Sequence, residues 1–195
     1  MKIFPVTGII LAGGKSSRMG RDKGLLRWRG RPLVAHALDL LRPLCDHLIL
    51  SANDPAYEAF GVPVVPDRWH DRGPLGGLAT GLRHSSTTHN LIIPCDTPLL
   101  NRELLHHILA RSTGYRAVVP VHEDGKVEPL CGYYSKETLP AIEEQLRQGD
   151  NRITRLLEKI PTLYLKMDAS LPFYHDDLFL NINTPADLEK ITGRS

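Results

Sequence analysis

Residues 8–26 read GIILAGGKSSRMGRDKGLL. A β-rich apolar run, Thr7 to Ala12, passes directly into Gly13 and Gly14. A polar stretch carrying Lys15, Ser16, Ser17, Arg18, Gly20 and Lys23 follows. A buried strand that ends in paired glycines and then cations has the physics of a phosphate cradle. Glycines let backbone N–H groups come close to an anion, and Lys and Arg neutralise it. The two Ser hydroxyls add donors. A tight strand-to-helix turn with solvated charges is the plainer alternative, and the density of Ser, Arg and Lys weighs against it. Two common phosphate motifs are absent. Counted from Gly14, the second glycine of a Walker A loop falls on Met19, and no Gly-x-Gly-x-x-Gly string occurs here.

Outward from this segment, strands alternate with helices. A helix is expected from about Leu33 to Leu41, with Pro32 before it, and strands at His47–Ser51 and Val62–Val65. Pro63 assigns the latter to a sheet edge. Pro74 opens a small-residue helix running to about His84, and Asn90–Pro94 is a fourth strand. A helix capped by Asn101 runs from about Arg102 to Arg111. Strands at Ala117–Val121 and Leu130–Ser135, joined around Asp124–Gly125, suggest a hairpin-like return. Helices near Leu139–Arg147 and Arg152–Lys159 precede strands near Thr162–Lys166 and Phe179–Ile182. Thr184, Pro185 and Asp187 open a last helix. Alternation of this kind predicts an α/β fold, a mostly parallel mixed sheet covered on both faces.

The 195 residues fit one domain. With 42% hydrophobic and 24% charged residues the balance is that of an ordinary soluble chain. Lys and Arg total 24 against 22 Asp and Glu, too even for the dense basic stripe of a nucleic-acid binder. No apolar run approaches the roughly 18–20 residues that span a bilayer, and the N-terminal apolar stretch reads as a strand, not a signal peptide. No membrane partner is expected. Cys45, Cys95 and Cys131 form neither a disulfide framework nor a Cys-x-x-Cys metal site, which suits reduced thiols in a cytoplasmic protein. His106 and His107 are adjacent and diverge by about 100° on a helix, so they cannot chelate zinc together.

Leu11-Ala12-Gly13-Gly14, Ser16, Arg18-Met19-Gly20 and Asp22-Lys23 together resemble the nucleotide-binding signature of molybdenum cofactor guanylyltransferases, within the nucleotidyltransferase superfamily. Three further blocks agree in order and spacing. They are Pro66-Asp67 with Gly73-Pro74-Leu75-Gly76-Gly77, then Pro94-Cys95-Asp96-Thr97-Pro98, then Asn181-Ile182-Asn183-Thr184-Pro185. The resemblance implies a single-domain, three-layer, Rossmann-like nucleotidyltransferase fold over residues 1–195, with a nucleotide-binding part at about 1–100 and an acceptor-binding part at about 101–195.

It also implies roles. Leu11, Ala12, Gly13 and Gly14 would line the GTP site with backbone groups. Arg18 and Lys23 would hold the triphosphate and offset charge on the leaving pyrophosphate. Asp67 would contact the nucleoside, and Asp96 would bind Mg²⁺, the expected cofactor. Independently, Asp96 follows a strand end, where open α/β sheets place ligands, and a carboxylate beside phosphates suits Mg²⁺. If the first and fourth strands are neighbours, Asp96 faces the glycine loop across a crevice. As a lone residue before Thr97-Pro98, it could equally be a turn or cap. Arg152, Asn181 and Asn183 are acceptor-side candidates, with a helix-start Arg and an ordinary strand-to-helix turn as their plainer readings. One position departs from the resemblance: Ser51 stands where members often carry Asn, and whether Ser51 or Asn53 contacts the nucleotide stays open.

The implied reaction transfers GMP from GTP to the phosphate of molybdenum-bearing molybdopterin, with molybdoenzymes or their chaperones as downstream partners. The alternatives are a CTP-dependent molybdopterin cytidylyltransferase, a sugar-1-phosphate nucleotidyltransferase, or a nucleotide-binding cofactor chaperone without turnover. Leu11-Ala12-Gly13-Gly14 favours guanine over the Leu-Ala-Ala-Gly more frequent in those rivals. Intact Lys23 and Asp96 favour an enzyme.

Overall fold

β1 (Val6–Leu11) is buried along its whole length. Its pleat sends Val6 and Ile10 to one face of a sheet and Ile9 and Leu11 to the other. A strand apolar on both sides needs cover on both sides, and the computed structural model, which describes residues 4–12, 22–69, 71–183 and 185–192, supplies it. Helices α1 (Leu33–Leu41) and α3 (Arg102–Leu109) pack on the Val6–Ile10 face. Helices α2 (Gly73–His84), α4 (Leu139–Arg147) and α5 (Ile153–Lys159) pack on the other. The result is three layers in one fold.

The remaining strands of the main sheet are β4 (His47–Ser51), β5 (Val64–Val65), β6 (His89–Pro94), β7 (Ala117–His122), β8 (Gly132–Ser135) and β9 (Thr162–Met167). Their order is β5-β4-β1-β6-β8-β7-β9. All pairings are parallel except those of β8, which runs antiparallel to both β6 and β7. The expected mixed sheet is therefore present, β5 is at the expected edge, and the first strand lies beside the Asn90–Pro94 strand. Two strands, β4 and β5, lie on one side of β1 before α2 carries the chain across to β6 on the other. That reversal places a crevice at the carboxyl ends of β1 and β6.

Two local findings differ from expectation. Residues Phe179–Ile182 do not form a strand. The segment descends in turns, with Leu178 N–H donating to the His175 carbonyl at 2.9 Å and Leu180 N–H to the Asp177 carbonyl at 2.9 Å. Leu178, Phe179 and Ile182 are nevertheless buried, so their apolar character reflects core contact without a ladder partner. An unanticipated ribbon also forms between β2 (Arg27–Trp28) and β3 (Arg31–Pro32). Its two turn residues, Arg29 and Gly30, have φ of 49° and 75°, the positive pair that a two-residue hairpin turn requires. Asn101 caps α3 as expected, accepting the Leu104 N–H at 2.9 Å. The last helix, α6, spans Pro185–Thr192; its predicted cap Thr184 lies outside the described residues, while Asp187 accepts the Asn183 N–H at 3.1 Å.

Gly132 begins the antiparallel strand at the same end of the sheet as the crevice. A Cβ there would stand 2.6 Å from the Val118 carbonyl oxygen, which is backbone and cannot rotate away. Gly132→Ala should lower the unfolding free energy by about 1–3 kcal/mol, the cost of overpacking. Equilibrium urea unfolding checks this, and an unchanged midpoint would mean that β7 and β8 separate freely there.

Candidate active site

A crevice of about 250 Å³ opens at the switch point. Strand ends supply Leu11, Ala12, Ser51, Ala52, Asp67, Pro94, Cys95 and Asp96; the first turns of α2 supply Gly73, Pro74 and Gly77; Asp22, Lys23 and Leu130 complete the wall. Most positions singled out from sequence as nucleotide-binding thus converge. Gly13, Gly14 and Arg18 lie outside the described residues.

Lys23 opens a short 3-10 helix, Lys23–Leu25, whose cap is Asp22: its Oδ1 accepts the Gly24 N–H at 3.1 Å. The Lys23 ammonium donates to Asn183 Oδ1 at 2.6 Å and stands 3.6 Å from Asp96 Oδ2. Asp96 is fixed from the other side, its carbonyl accepting the Ile182 N–H at 2.8 Å. Three distant segments therefore meet around one ammonium. Beneath them lies a small apolar cluster of Trp28, Leu33 and Ile182, joined by Leu26, Leu99, Leu180 and Leu188. Burial pushes the Asp96 carboxyl above its ordinary value, with Lys23 pulling it back only in part. An under-compensated carboxylate at the crevice wall is suited to a second cation. Among the described residues no group of three or more His, Cys, Asp and Glu could hold a metal by itself. The donor set fits an ion bound by one carboxylate and completed by substrate phosphates, which is the habit of Mg²⁺.

Asp67 is held in place and does not swing freely. Its Oδ1 accepts the Trp69 N–H at 2.9 Å and the Thr80 hydroxyl at 3.0 Å. Asn53 Oδ1 accepts the Asp67 N–H at 2.8 Å, so Asn53 shapes the loop that carries Asp67. Ser51 lines the crevice itself, its hydroxyl 3.4 Å from the Gly77 carbonyl. Gly76 is required where α2 meets this loop: a Cβ would lie 2.9 Å from Trp69 Cβ and 3.0 Å from the Trp69 carbonyl. The main chain at Leu11 and Ala12 is already engaged, since the Leu11 carbonyl accepts from Cys95 N–H at 3.1 Å and Ala12 N–H donates to the Ser51 carbonyl at 2.9 Å. Any further partner at the Leu11 carbonyl would have to use its second lone pair.

The acceptor-side candidates divide. Asn183 joins the Lys23 cluster, and Asn181, exposed, is two residues before it. Arg152 is exposed and forked onto Asp150, with Nε to Oδ1 and Nη2 to Oδ2 both at 2.9 Å. That guanidinium, with the Arg152 N–H, lowers the Asp150 carboxyl to about 2. Sequence reasoning missed Tyr57, Gly24 and the capping role of Asp22. Asp22 stands inside the quoted signature, whereas a Tyr in a short helix carries no motif. Burial raises the Cys95 thiol well above its ordinary value, so Cys95 is a small packed residue and not a nucleophile.

Residues 8–163 match the model of the MobA-like NTP transferase domain. A probable molybdenum cofactor guanylyltransferase of Flavobacterium johnsoniae is 34% identical over 186 residues, covering 95% of this chain and 96% of that one. One from Carboxydothermus hydrogenoformans is 36% identical over 188 residues, covering 95% and 94%. The crystal structure of molybdopterin-guanine dinucleotide biosynthesis protein A from Archaeoglobus fulgidus superimposes with a TM-score of 0.80 at 24% identity, covering 96% of this chain and 97% of that one, which shows a shared fold. Matched by that family model over residues 8–163 and by relatives at 34–36% identity over most of its length, the chain belongs to the MobA-like NTP transferase domain family.

Proposed function

We propose that this chain transfers GMP from GTP to the phosphate of molybdenum-bearing molybdopterin, forming the guanine dinucleotide cofactor and pyrophosphate. The observation that carries the reading is the meeting of Lys23, Asp96 and Asn183 at the switch-point crevice, in a chain whose relatives bear the name of that activity. An oxygen of the acceptor phosphate forms a bond to the α-phosphorus of GTP. The bond from that phosphorus to the bridging oxygen of the β-phosphate breaks, and the electron pair leaves with pyrophosphate. The nucleophile is already anionic, so no side chain has to remove a proton.

What the protein contributes is position and charge. Leu11 and Ala12 with Asp67 and Ser51 form the nucleoside wall. Lys23 faces the phosphates and gains most as charge gathers on the departing pyrophosphate. Asp96 would hold Mg²⁺, which supplies Lewis-acid neutralisation of the phosphate oxygens. Arg18, in the glycine loop, would share the triphosphate charge. Asn183 steadies Lys23, and Arg152 with Asn181 would face the acceptor. The product would pass to molybdoenzymes or their chaperones in the cytoplasm, and no described helix is long and apolar enough to cross a membrane.

The direct test supplies Mg²⁺, molybdopterin and each of four nucleoside triphosphates in turn, with products identified by mass. A site built for the guanine N1–H, N2–H₂ and O6 leaves buried groups unpaired when another base enters. GTP should be preferred over CTP and ATP by at least about a hundredfold, or roughly 2.7 kcal/mol. Equal use of CTP and GTP would point to the cytidylyl reaction, and absence of pyrophosphate release with any nucleotide would point to a carrier without turnover.

Asp96→Asn preserves shape and removes the metal-holding charge, so transfer should be almost abolished. Its stability should move the other way. The folded pKa of Asp96 lies above its unfolded value, so ionising it costs stability above the folded pKa and costs nothing well below the unfolded one. In EDTA at pH 7 the variant should therefore melt at the same temperature as wild type or higher. The difference should fade as the pH falls toward about 4, the ordinary range of carboxylates. A clearly lower melting temperature at pH 7 would show that Asp96 is a structural ion-pair partner first.

A further inference from the structure

The Tyr57 side chain is fully buried on a short 3-10 helix, Pro55–Phe60, whose cap is Asp54. Its hydroxyl reaches two places that are distant in sequence. It donates to Asp22 Oδ1 in a short contact, and it lies 3.3 Å from the Ala12 carbonyl. Ala12 is where the chain leaves β1, and Asp22 is where it returns to cap the turn bearing Lys23. One phenolic oxygen thus stands against both described ends of the segment whose sequence carries the phosphate-cradle signature. The hydroxyl has a single proton, and the shorter arm identifies Asp22 as its main acceptor, with the Ala12 carbonyl as the weaker one.

Packing around this point leaves little room for drift. Gly24, next to Lys23, is buried directly against the hydroxyl. A Cβ on Gly24 would overlap the Tyr57 oxygen and come within 3.1 Å of Cys95 Sγ. Cys95 in turn is the neighbour of Asp96. The chain from Tyr57 through Asp22 and Gly24 therefore determines where the Lys23 backbone sits relative to Asp96, although Tyr57 itself is separated from the ammonium by that turn. The hydroxyl is too buried and too tightly held to act on substrate; burial and Asp22 raise its pKa far beyond the ordinary phenol range.

We infer that Tyr57 is a positioning residue for nucleotidyl transfer, clasping Asp22 and the Ala12 carbonyl so that Lys23 is presented to the triphosphate; this rests on the reading of Lys23 as the phosphate-facing lysine. A misplacement of the order of 1 Å at a charge that must meet the transition state is costly to turnover even when folding is intact. Tyr57→Phe keeps the ring in the core and removes only the clasp. Asp22→Asn keeps Oδ1 as the cap of the turn and removes the charge that the hydroxyl meets.

The experiment is a double-mutant cycle on the full chain, measured by single-turnover and steady-state kinetics with GTP, Mg²⁺ and molybdopterin, with thermal melting beside it. Tyr57→Phe and Asp22→Asn should each lower turnover about tenfold with a smaller change in KM for GTP. Lys23→Ala should lower kcat/KM by about a hundredfold or more. Adding Tyr57→Phe to Lys23→Ala should cost nothing further, because the clasp acts through Lys23. A merely structural tyrosine would lower the melting temperature and multiply its loss onto that of Lys23→Ala. That multiplication, or near wild-type turnover in both Tyr57→Phe and Asp22→Asn, overturns the inference and leaves the assignment of Lys23 standing. Near wild-type kcat/KM in Lys23→Ala overturns the assignment of Lys23 itself, and the clasp with it.

Discussion

The ammonium of Lys23 is the point on which the site depends. It is shared between the Asn183 amide oxygen at 2.6 Å and the Asp96 carboxylate at 3.6 Å, partners 160 and 73 positions away in sequence. A partly buried pair of this kind adds little to folding, because desolvation of the carboxylate offsets the attraction. Its consequence is geometric. A cation and a carboxylate are kept slightly apart at the wall of a crevice, each with capacity left for a phosphate oxygen or a metal. The apolar cluster of Trp28, Leu33 and Ile182 beneath them supplies the energy that holds the segments together.

Sheet topology puts those segments within reach. Because β1 lies between β4 and β6, the ends of all three strands open at one edge, and the crossover through α2 leaves a gap above β1 and β6. Gly76 lets the first turn of α2 approach the Asp67 loop, and Gly24 lets the Lys23 turn approach Tyr57 and Cys95. Glycine at these two positions has the same physical meaning: backbone stands where a side chain would displace a functional neighbour. Burial raises the Asp96 carboxyl at the same crevice, so its ionised form costs some folding stability there.

Much of this was legible in the amino-acid order. The Leu33–Leu41, His47–Ser51 and Leu139–Arg147 elements appear with the expected bounds, because apolar period and punctuation agree there. The Arg29–Gly30 hairpin was hidden because Arg is an uncommon choice for a positive-φ turn position. The Phe179–Ile182 run misled because a short stretch rich in apolar residues signals burial whether or not a neighbouring strand is available. At the site, Lys23, Asp67 and Asp96 were readable from motifs that end strands and open turns. Tyr57 was not, because its role arises from distance across 35 residues to Asp22 and has no local pattern. Arg152 read as either an acceptor-side residue or a plain helix-start Arg; its forked pairing with Asp150 means that any phosphate bound there would have to share or displace a carboxylate.

On this proposal Asp96 and Lys23 form one receptor for a metal-bound triphosphate. Electron paramagnetic resonance of Mn²⁺ as a stand-in for Mg²⁺ tests it most directly, by counting bound ions with and without GTP in wild type, Asp96→Asn and Lys23→Ala. One ion should be taken up tightly only when GTP is present, its uptake lost in Asp96→Asn and weakened in Lys23→Ala. Undiminished GTP-dependent uptake in Asp96→Asn would contradict it.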